Sequence, residues 1–498
     1  MADSSAKQIK YGAIISYSAL GINILASLMY TPWMIHQIGT ANYGLYTLAI
    51  SFIGLFLLDF GMSAALSRFL SKYRAEGNVY EARRVLGATY TVYIAIDLLI
   101  LISLAVVYFN IENIYRELSH DELEVFKLIF LMVGTFNLIS FPMITQNGIL
   151  MSYERFIELK VADLCRKLLA IAFVVLALMN RMGVLAVVAA NILAELITII
   201  CKWIIIRRKV PVWPTFNNLT KDVFKGIFSF SVWMTVITFA QKFIYNIAPS
   251  ILGIVAGALA IAVYGPASSL GSYFYAVAAA VNGLFLPYVS RKVNENNNED
   301  IDRLMVQMAR FQFLLLGWVF VCFVCAGKMF IRLWLGTDFD LTYYCTVLVF
   351  LPALFEYAQQ IGCTLIIAKN KVKIQAIGFV TISIVTLGIS FLFGKLWGAV
   401  GVCLSICMAG FGNVVLQNII FSRKLHLDMK GYYWHAVAPS MIPIVLSIGA
   451  GLAVAYLFEY SWLNLVVLCA ILTIMFLTLT YLFNRKVITF VINALKKK

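Results

Sequence analysis

The sequence predicts an all-α polytopic membrane protein with about 14 transmembrane helices. Apolar residues occupy 62% of its 498 positions, charged residues occupy only 13%, and the mean hydropathy is +0.89. Soluble domains are about 45–50% apolar and about 25% charged. One span needs about 20 mostly apolar residues, so the chain can supply a dozen or more. This composition excludes a soluble enzyme, a disordered scaffold and a small disulfide framework.

Polar breaks divide the apolar runs into fourteen predicted spans. The tightest turns lie at 179–183 and 394–399. If the two spans that flank either turn were re-entrant, twelve spans would remain. Proline inside a span predicts a kink that can act as a hinge, and this applies to Pro32, Pro142, Pro249 and Pro352. The predicted spans are 11–35, 43–66, 85–109, 125–151, 159–179, 183–204, 226–252, 259–287, 309–331, 343–367, 374–394, 399–421, 437–458 and 463–484.

The distribution of basic residues predicts the orientation. The chain has 39 Lys and Arg against 24 Asp and Glu, a net charge of +15. The two ends and the alternate loops hold 32 of the 39, and the opposite loops hold five. Under the positive-inside rule both termini are then cytoplasmic. The first apolar run exceeds 20 residues, so it is interpreted as a retained span and not as a cleaved signal.

A shift of 215 residues indicates an internal repeat. It aligns Gly183 with Gly398 and Arg208 with Arg423, and it places the first span on the seventh. Each half has six spans, an even number, so the two halves share one orientation. They are expected to be related by a pseudo-two-fold axis along the membrane normal. A central cavity between them would suit alternating access. The predicted domains are an N-lobe (1–209), a C-lobe (210–430) and a C-terminal helix pair with a basic tail (431–498).

Span seven carries a polar stripe around one lysine. A lysine near the middle of a span costs about 2.5–3.5 kcal/mol on insertion scales and needs compensation. Lys242 is therefore interpreted as a cavity cation for an anionic substrate, as the partner of a mid-span carboxylate (Asp97, Glu195 or Glu356), or as a snorkelling side chain. The stripe consists of Ser231, Thr235, Thr238, Lys242 and Asn246, and its weaker counterpart in span one includes Asn23 and Ser27.

Span eight carries a second stripe, which includes Tyr275 and Asn282. Tyrosine offers a flat ring and a hydroxyl that suit contact with a sugar. The alternative is ordinary packing of small and hydroxyl residues between helices.

The remaining candidates are charged groups in or near spans. Asp97, Glu195 and Glu356 are candidates for coupling or charge pairing, and Asp59 with Arg68 is a candidate gate at the cytoplasmic end of span two. No catalytic constellation, phosphate-binding loop or metal-ligand cluster is apparent, so no cofactor is expected. Coupling to protons, sodium or the membrane potential remains open.

The segment IGTANYGLYTLAISFIGLFLLDFGMSAALSRFLSKYRAEGN resembles the first-lobe signature of Wzx-like polysaccharide-biosynthesis flippases. These belong to the multidrug/oligosaccharidyl-lipid/polysaccharide superfamily. The resemblance continues in YERF, IRLWLGTDF, IIAKNKVK and LWGAVGVCLS, and it covers spans 1–12. Asp59, Gly61 and Arg68 match the family's LLDFG…R element.

The resemblance implies a flippase of the bacterial cytoplasmic membrane. Such a protein moves undecaprenyl-diphosphate-linked oligosaccharide units to the outer leaflet for surface polysaccharide assembly, through a cationic cavity, and polymerases and glycosyltransferases are its expected partners. Relatives have several basic residues in the cavity, whereas one central cation is apparent here. Arg68 and Arg291 are therefore expected to share the diphosphate with Lys242.

Three other functions agree less well with the sequence. A lipid II flippase of the same superfamily would be expected to carry several Arg in its first spans, and span one has none. A multidrug exporter usually has twelve spans. A membrane glycosyltransferase or polymerase needs larger extramembrane segments than this chain has.

Overall fold

A computed structural model describes residues 2–56, 62–217, 221–294, 298–369 and 371–485, and within them all side chains except those of 2–17, 19, 53, 56, 64, 221–231, 280–294, 298 and 368. Every regular element in these ranges is helical, which confirms the all-α class. The helices are α1 (Ala2–Ile38), α2 (Thr40–Phe56), α3 (Met62–Ala75), α4 (Val79–Phe109), α5 (Ile111–Ile114), α6 (His120–Ser140), α7 (Thr145–Ser152), α8 (Phe156–Met179), α9 (Gly183–Lys209), α10 (Lys221–Tyr245), α11 (Ala248–Val255), α12 (Gly257–Asn294), α13 (Asn298–Leu335), α14 (Asp340–Ala358), α15 (Gln360–Ala368), α16 (Val372–Leu425), α17 (Met429–Tyr432), α18 (Ala438–Ala455) and α19 (Trp462–Phe483).

Eight helices of the described chain are long and apolar enough to cross a membrane, so the protein is a multi-pass membrane protein. One of the eight, α16, contains two of the predicted spans. The total of fourteen spans stays a prediction.

Several predicted spans are interrupted by helix breaks. The run 125–151 is divided by a 3₁₀ turn at Phe141–Ile144, which contains Pro142. The run 343–367 breaks at Gln359, between α14 and α15. Proline lacks the backbone N–H that continues a helix, which explains the first break. Apolar runs alone did not reveal these breaks.

The helices pack into two compact units, residues 1–262 and 263–498. In the first unit α8 packs against α9 and α1, and α10 packs against α3 and α4. In the second unit α13 packs against α14, α18 and α19. This division differs from the lobe limits 1–209, 210–430 and 431–498, which come from the sequence repeat and stay predictions.

Each unit contains a tight helical hairpin at the glycine that the repeat aligns. Gly183 begins α9 with φ +76°, and Gly398 has φ +56° inside α16. A Cβ on Gly401 would lie 1.9 Å from the carbonyl oxygen of Phe393, and one on Gly378 would lie 2.3 Å from Leu416. A straight helix cannot bring residues so far apart in sequence together. The two parts of α16 are therefore antiparallel.

The segment between α9 and α10 is held against α4. The Thr215 backbone N–H donates to the Arg83 carbonyl at 3.2 Å. A Cβ on Gly87 would lie 1.9 Å from the Thr215 carbonyl oxygen. Only glycine at position 87 lets the two backbones approach this closely, so Gly87 holds the connection that leads into α10.

We expect Gly87→Ala to lower the melting temperature of the purified protein. The added methyl group must displace the Thr215 backbone, at a cost of about 1–3 kcal/mol. Gly388→Ala is the control, because a Cβ there meets nothing within 4 Å and alanine favours helix by up to about 1 kcal/mol. A wild-type melting temperature for Gly87→Ala would contradict the close contact.

The loop between α4 and α6 is acidic, but it also holds a cation. Ser119 and Glu122 form a capping box at the start of α6. The Lys127 ammonium donates to Glu112 at 2.6 Å, and this hydrogen bond holds the pKa of Glu112 below its usual range. Lys127, which sequence analysis placed inside a span, is thus neutralised by the loop.

Candidate functional site

Lys242 lies beside a helix break in the first unit. Pro249 cannot donate a hydrogen bond to the carbonyl of Tyr245, four residues earlier, and α10 ends at Tyr245. The predicted span 226–252 is therefore two helices, α10 and α11. Asn246 lies in the break between them, so it does not continue the stripe along one helix face as predicted.

The break places the Lys242 ammonium next to α2. Its Nζ lies 3.9 Å from the position of a Cβ on Gly54. Gly54 is fourteen residues into α2, about 21 Å along that helix, which is roughly half of a bilayer about 40–45 Å thick. Lys242 also occupies the last turn of α10, where the helix dipole favours a positive charge.

Neither of the predicted carboxylates in this unit pairs with Lys242. Among the residues that the structure describes, no carboxylate oxygen lies within 4 Å of its Nζ, and Glu195 pairs instead with Arg166 at 3.2 Å. The side chain is only partly buried. A half-exposed ammonium at this depth requires water or an anion nearby.

Two threonines of the stripe and two residues of its span-one counterpart are half-buried. Thr235, Thr238, Asn23 and Ser27 are all partly accessible. The Thr238 hydroxyl donates to the Met234 carbonyl at 2.9 Å, within its own helix. This hydroxyl therefore does not connect α10 to a neighbouring helix and keeps its acceptor capacity.

A second polar region lies between α8 and α9, and of its residues sequence analysis identified only Glu195 as a candidate. Three ion pairs connect the two antiparallel helices at successive depths. They are Glu158–Lys209 at 2.7 Å, Asp163–Lys202 at 2.8 Å and Glu195–Arg166 at 3.2 Å.

The Arg166–Glu195 pair is the one farthest from the basic end of the hairpin. Glu195 is twelve residues after Gly183 and fourteen before Lys209, so it lies about 18–21 Å along α9 from either end. The side chains of Arg166 and Glu195 are 38% and 32% exposed. Charged groups at this depth normally face protein or a hydrated cavity. This face of the hairpin is therefore a candidate for contact with water and substrate.

The Lys202 pair, in contrast, has the properties of a structural tie. Lys202 is 8% exposed. Its ammonium donates to Asp163 and also to the Asn147 amide oxygen at 3.1 Å, which links α7, α8 and α9. All of these groups are satisfied within the unit.

The repeat provides an internal comparison for these charges. At the same shift of 215 residues the hairpin of α16 has uncharged residues at the four corresponding positions. Asp163, Arg166, Glu195 and Lys202 correspond to Gly378, Thr381, Gly410 and Gln417. The hairpin fold therefore does not itself require the charges.

The charged residues of α8 explain why this region was missed. The predicted span 159–179 includes Asp163 and Arg166, but their charges were not interpreted as partners of charges in the next span, and the helix itself begins at Phe156. Their spacing does contain a signal: Asp163 and Arg166 are separated by one turn. Their opposite charges on α9 are also one to two turns apart.

Asp97 lies in α4 with one carboxylate oxygen, Oδ1, buried and without a hydrogen-bond partner among the described residues. No described Lys or Arg approaches it within the 4 Å of an ion pair. A buried carboxylate oxygen in a spanning helix is costly unless it faces protein or water. Asp97 therefore stays a candidate for coupling, as the sequence predicts.

In the second unit the aromatic part of the predicted site is present. The Tyr275 side chain is 53% exposed, and its ring centroid lies 5.2 Å from that of Tyr357. Phe274, buried beside it, stacks on Phe350 at 4.3 Å. Glu356 lies against the second part of α16, with Oε1 3.8 Å from the Cβ position of Gly410.

The structure describes little of the surroundings of the other predicted residues. Arg68 is exposed on α3. Asp59 lies outside the described residues, and so do the side chains of Asn282 and Arg291 on α12. The proposed gate and the sharing of a diphosphate among Arg68, Arg291 and Lys242 stay predictions.

Comparison with solved structures shows a transporter fold. A lipid II flippase MurJ in an inward closed conformation matches with a TM-score of 0.72 at 15% identity, over 96% of this chain and 99% of that one. An inward-facing MATE multidrug resistance transporter of the MOP superfamily matches at 0.63 and 14%, over 87% and 98%. The eukaryotic MATE transporter AtDTX14 matches at 0.56 and 16%, over 84% and 95%.

At these identities the likeness concerns the fold alone. No curated protein sequence matches the chain. The family model described as polysaccharide biosynthesis protein matches residues 9–291, which is more than half of the chain and runs from within α1 into α12. The signature at residues 38–78, which include α2 and α3, and the transporter fold agree with this match. The chain belongs to the polysaccharide biosynthesis protein family.

Proposed function

We propose that this protein is a flippase that moves undecaprenyl-diphosphate-linked oligosaccharide units from the cytoplasmic to the outer leaflet by alternating access. The observation that carries the proposal is the pair of half-exposed cations at mid-depth in the first unit. Lys242 lies over Gly54 without a described carboxylate partner, and Arg166 lies on the α8–α9 hairpin beside Glu195. A diphosphate is the part of this substrate that most needs compensation for lost hydration.

The two cations suit different stages of binding. Lys242 offers three rotatable donors as a point charge, whereas Arg166 offers a planar fork that binds phosphate through two parallel hydrogen bonds. Glu195 lies on one side of Arg166. An arriving phosphate can accept hydrogen bonds from the remaining N–H groups of the guanidinium while Glu195 stays paired with it.

The exposed Tyr275 ring suits the oligosaccharide. Aromatic faces pack on the apolar side of sugar rings, while the hydroxyl keeps a hydrogen bond. Such contacts depend little on the individual sugar, as a carrier of varied repeat units requires. Both termini are assigned to the cytoplasm on the Lys/Arg distribution.

Asp97 supports coupling to protons in this proposal. Its Oδ1 is buried in a spanning helix without a hydrogen-bond partner among the described residues, and such carboxylates often mark ion pathways or proton relays. Sodium would instead require several oxygen ligands around the ion.

The test is leaflet accessibility in proteoliposomes. A fluorescent undecaprenyl-diphosphate oligosaccharide is incorporated symmetrically, and the fraction open to a membrane-impermeant quencher or glycosidase is followed with time. We expect movement that depends on the protein, leaves the lipid chemically unchanged, and responds to an imposed pH gradient in wild type but not in Asp97→Asn.

The controls separate the alternatives. Empty vesicles measure spontaneous movement, and lipid II and a cationic dye test the other transport classes of the superfamily. Movement of lipid II in preference to other lipid-linked glycans, or of the dye alone, would replace the proposal. A chemically altered lipid would indicate an enzyme.

A further inference from the structure

A cavity of about 770 Å³ lies in the second unit where one membrane-spanning helix ends and the next begins. It adjoins the turn from α16, which ends at Leu425, into the span Met429–Ala455. Its lining includes Lys430, Tyr433, Trp434 and His435. The end of one span and the start of the next define a membrane surface, so the cavity lies at headgroup level.

The backbone at this cavity is unusual. Residues Tyr433–Val437 form a π-helical turn, a rare conformation that is frequent at functional sites. The carbonyl of His435 accepts a hydrogen bond of 2.7 Å from Nε of Arg310, which belongs to α13. The guanidinium is thus held at the edge of the cavity by one nitrogen, and its other nitrogens make no hydrogen bond to the described residues.

The acidic groups at the cavity are already engaged with backbone. Asp428 Oδ1 accepts the Gly431 N–H at 2.9 Å, and Asp302 Oδ1 accepts the Asp428 N–H at 3.2 Å. The Lys430 side chain is exposed, in contrast, and so are His435 and Trp434, the latter at 75%. The groups available to a ligand are therefore two cations, an imidazole and two amphipathic rings.

We propose that this cavity binds the phosphate headgroup of an anionic glycerophospholipid. Lys430 and Arg310 contact the phosphate, and Trp434 and Tyr433 lie at the level of the glycerol, where aromatic residues concentrate in membrane proteins. Basic pockets between spanning helices on the cytoplasmic side are suited to such headgroups. The bound lipid would fix the turn from which α18 and α19 follow. This site does not depend on the proposed transport function.

The test is a lipid titration of the purified full-length protein by native mass spectrometry. Phosphatidylglycerol and phosphatidylcholine with identical acyl chains are compared, so only the headgroup differs. We expect wild type to bind phosphatidylglycerol more tightly. We expect Lys430→Gln to lose about fivefold in affinity, from about 1 kcal/mol per cation near a membrane surface.

A second variant and a control distinguish a specific loss of lipid binding from a loss caused by misfolding. Arg310→Lys keeps the charge but loses the fork, and we expect weaker binding of phosphatidylglycerol. Lys395→Gln removes an exposed cation from the opposite turn of α16 and should leave binding unchanged. Equal affinity for the two lipids, or wild-type affinity in both cavity variants, would overturn the proposal. Preferential displacement by undecaprenyl diphosphate would assign the cavity to the transported lipid and overturn it too.

Discussion

Replacing Lys242 with alanine is expected to lower the initial rate of translocation about 10- to 100-fold in the proteoliposome assay. A charge-assisted hydrogen bond is worth about 1.5–3 kcal/mol, and no described carboxylate shares this ammonium in the first unit. Alanine favours helix, so α10 should form normally up to the break before Pro249. The expected loss is therefore one of transport and not of folding, which a wild-type melting temperature would verify.

Two further variants identify what the ammonium does. Lys242→Arg keeps the charge and should retain part of the rate, because the guanidinium is bulkier but still binds phosphate. Lys395→Ala removes an exposed lysine from the second unit and should transport at the wild-type rate. Full activity of Lys242→Ala would exclude Lys242 as a substrate-binding cation. Equal inactivity of Lys242→Arg and Lys242→Ala would indicate that geometry matters more than charge.

The membrane class and the hairpins could be predicted from the sequence because they depend on simple physical requirements. A chain that is 62% apolar can bury its apolar side chains only in many membrane-spanning helices. The alignment of Gly183 with Gly398 identified positions where the backbone has positive φ, which glycine adopts without strain. The prediction of one continuous helix through Asn246 was wrong because hydrophobicity does not report a backbone break, and Pro249 was interpreted as a bend and not as a helix end. The role of Asn246 in the cavity stays a prediction.

The α8–α9 region was not predicted for a different reason. The predicted spans 159–179 and 183–204 include these charged residues, but the limits of a span do not report which opposite charges meet across two helices. Lys202 is 8% exposed and bonded to Asp163 and Asn147. Pairing of this kind depends on the register of a hairpin, which only the three-dimensional structure supplies. The second half of the repeat has uncharged residues at all four corresponding positions, so a hairpin of this kind forms without these charges.

The Arg166–Glu195 pair yields the second large expected effect. Arg166→Ala leaves Glu195 without a counter-charge in the middle of α9. Breaking a fully buried pair costs about 3–5 kcal/mol, and less is expected here because about a third of each side chain is exposed. We expect a lower melting temperature together with a strong loss of transport. This variant alone cannot separate a structural role from a role in binding.

The charge-exchanged double variant Arg166→Glu/Glu195→Arg separates the two roles. It restores an ion pair between α8 and α9, so the melting temperature should return toward that of wild type. The cation, however, now extends from α9, several ångströms from its original position. If Arg166 binds the diphosphate, transport should remain at least tenfold below wild type although the protein is stable. Recovery of transport together with stability would show that the pair only connects the two helices.

The Lys202–Asp163 pair provides the matched comparison, because it joins the same two helices nearer their basic ends. Its cation is almost completely buried and bonded to Asn147 as well, so a phosphate cannot reach it without breaking the tie between α7, α8 and α9. Lys202→Met should lower the melting temperature, since Asp163 loses its partner, but transport per folded molecule should stay near wild type. If Arg166→Ala lowers both stability and transport, whereas Lys202→Met lowers stability alone, then Arg166 is the binding cation and Lys202 is the structural one.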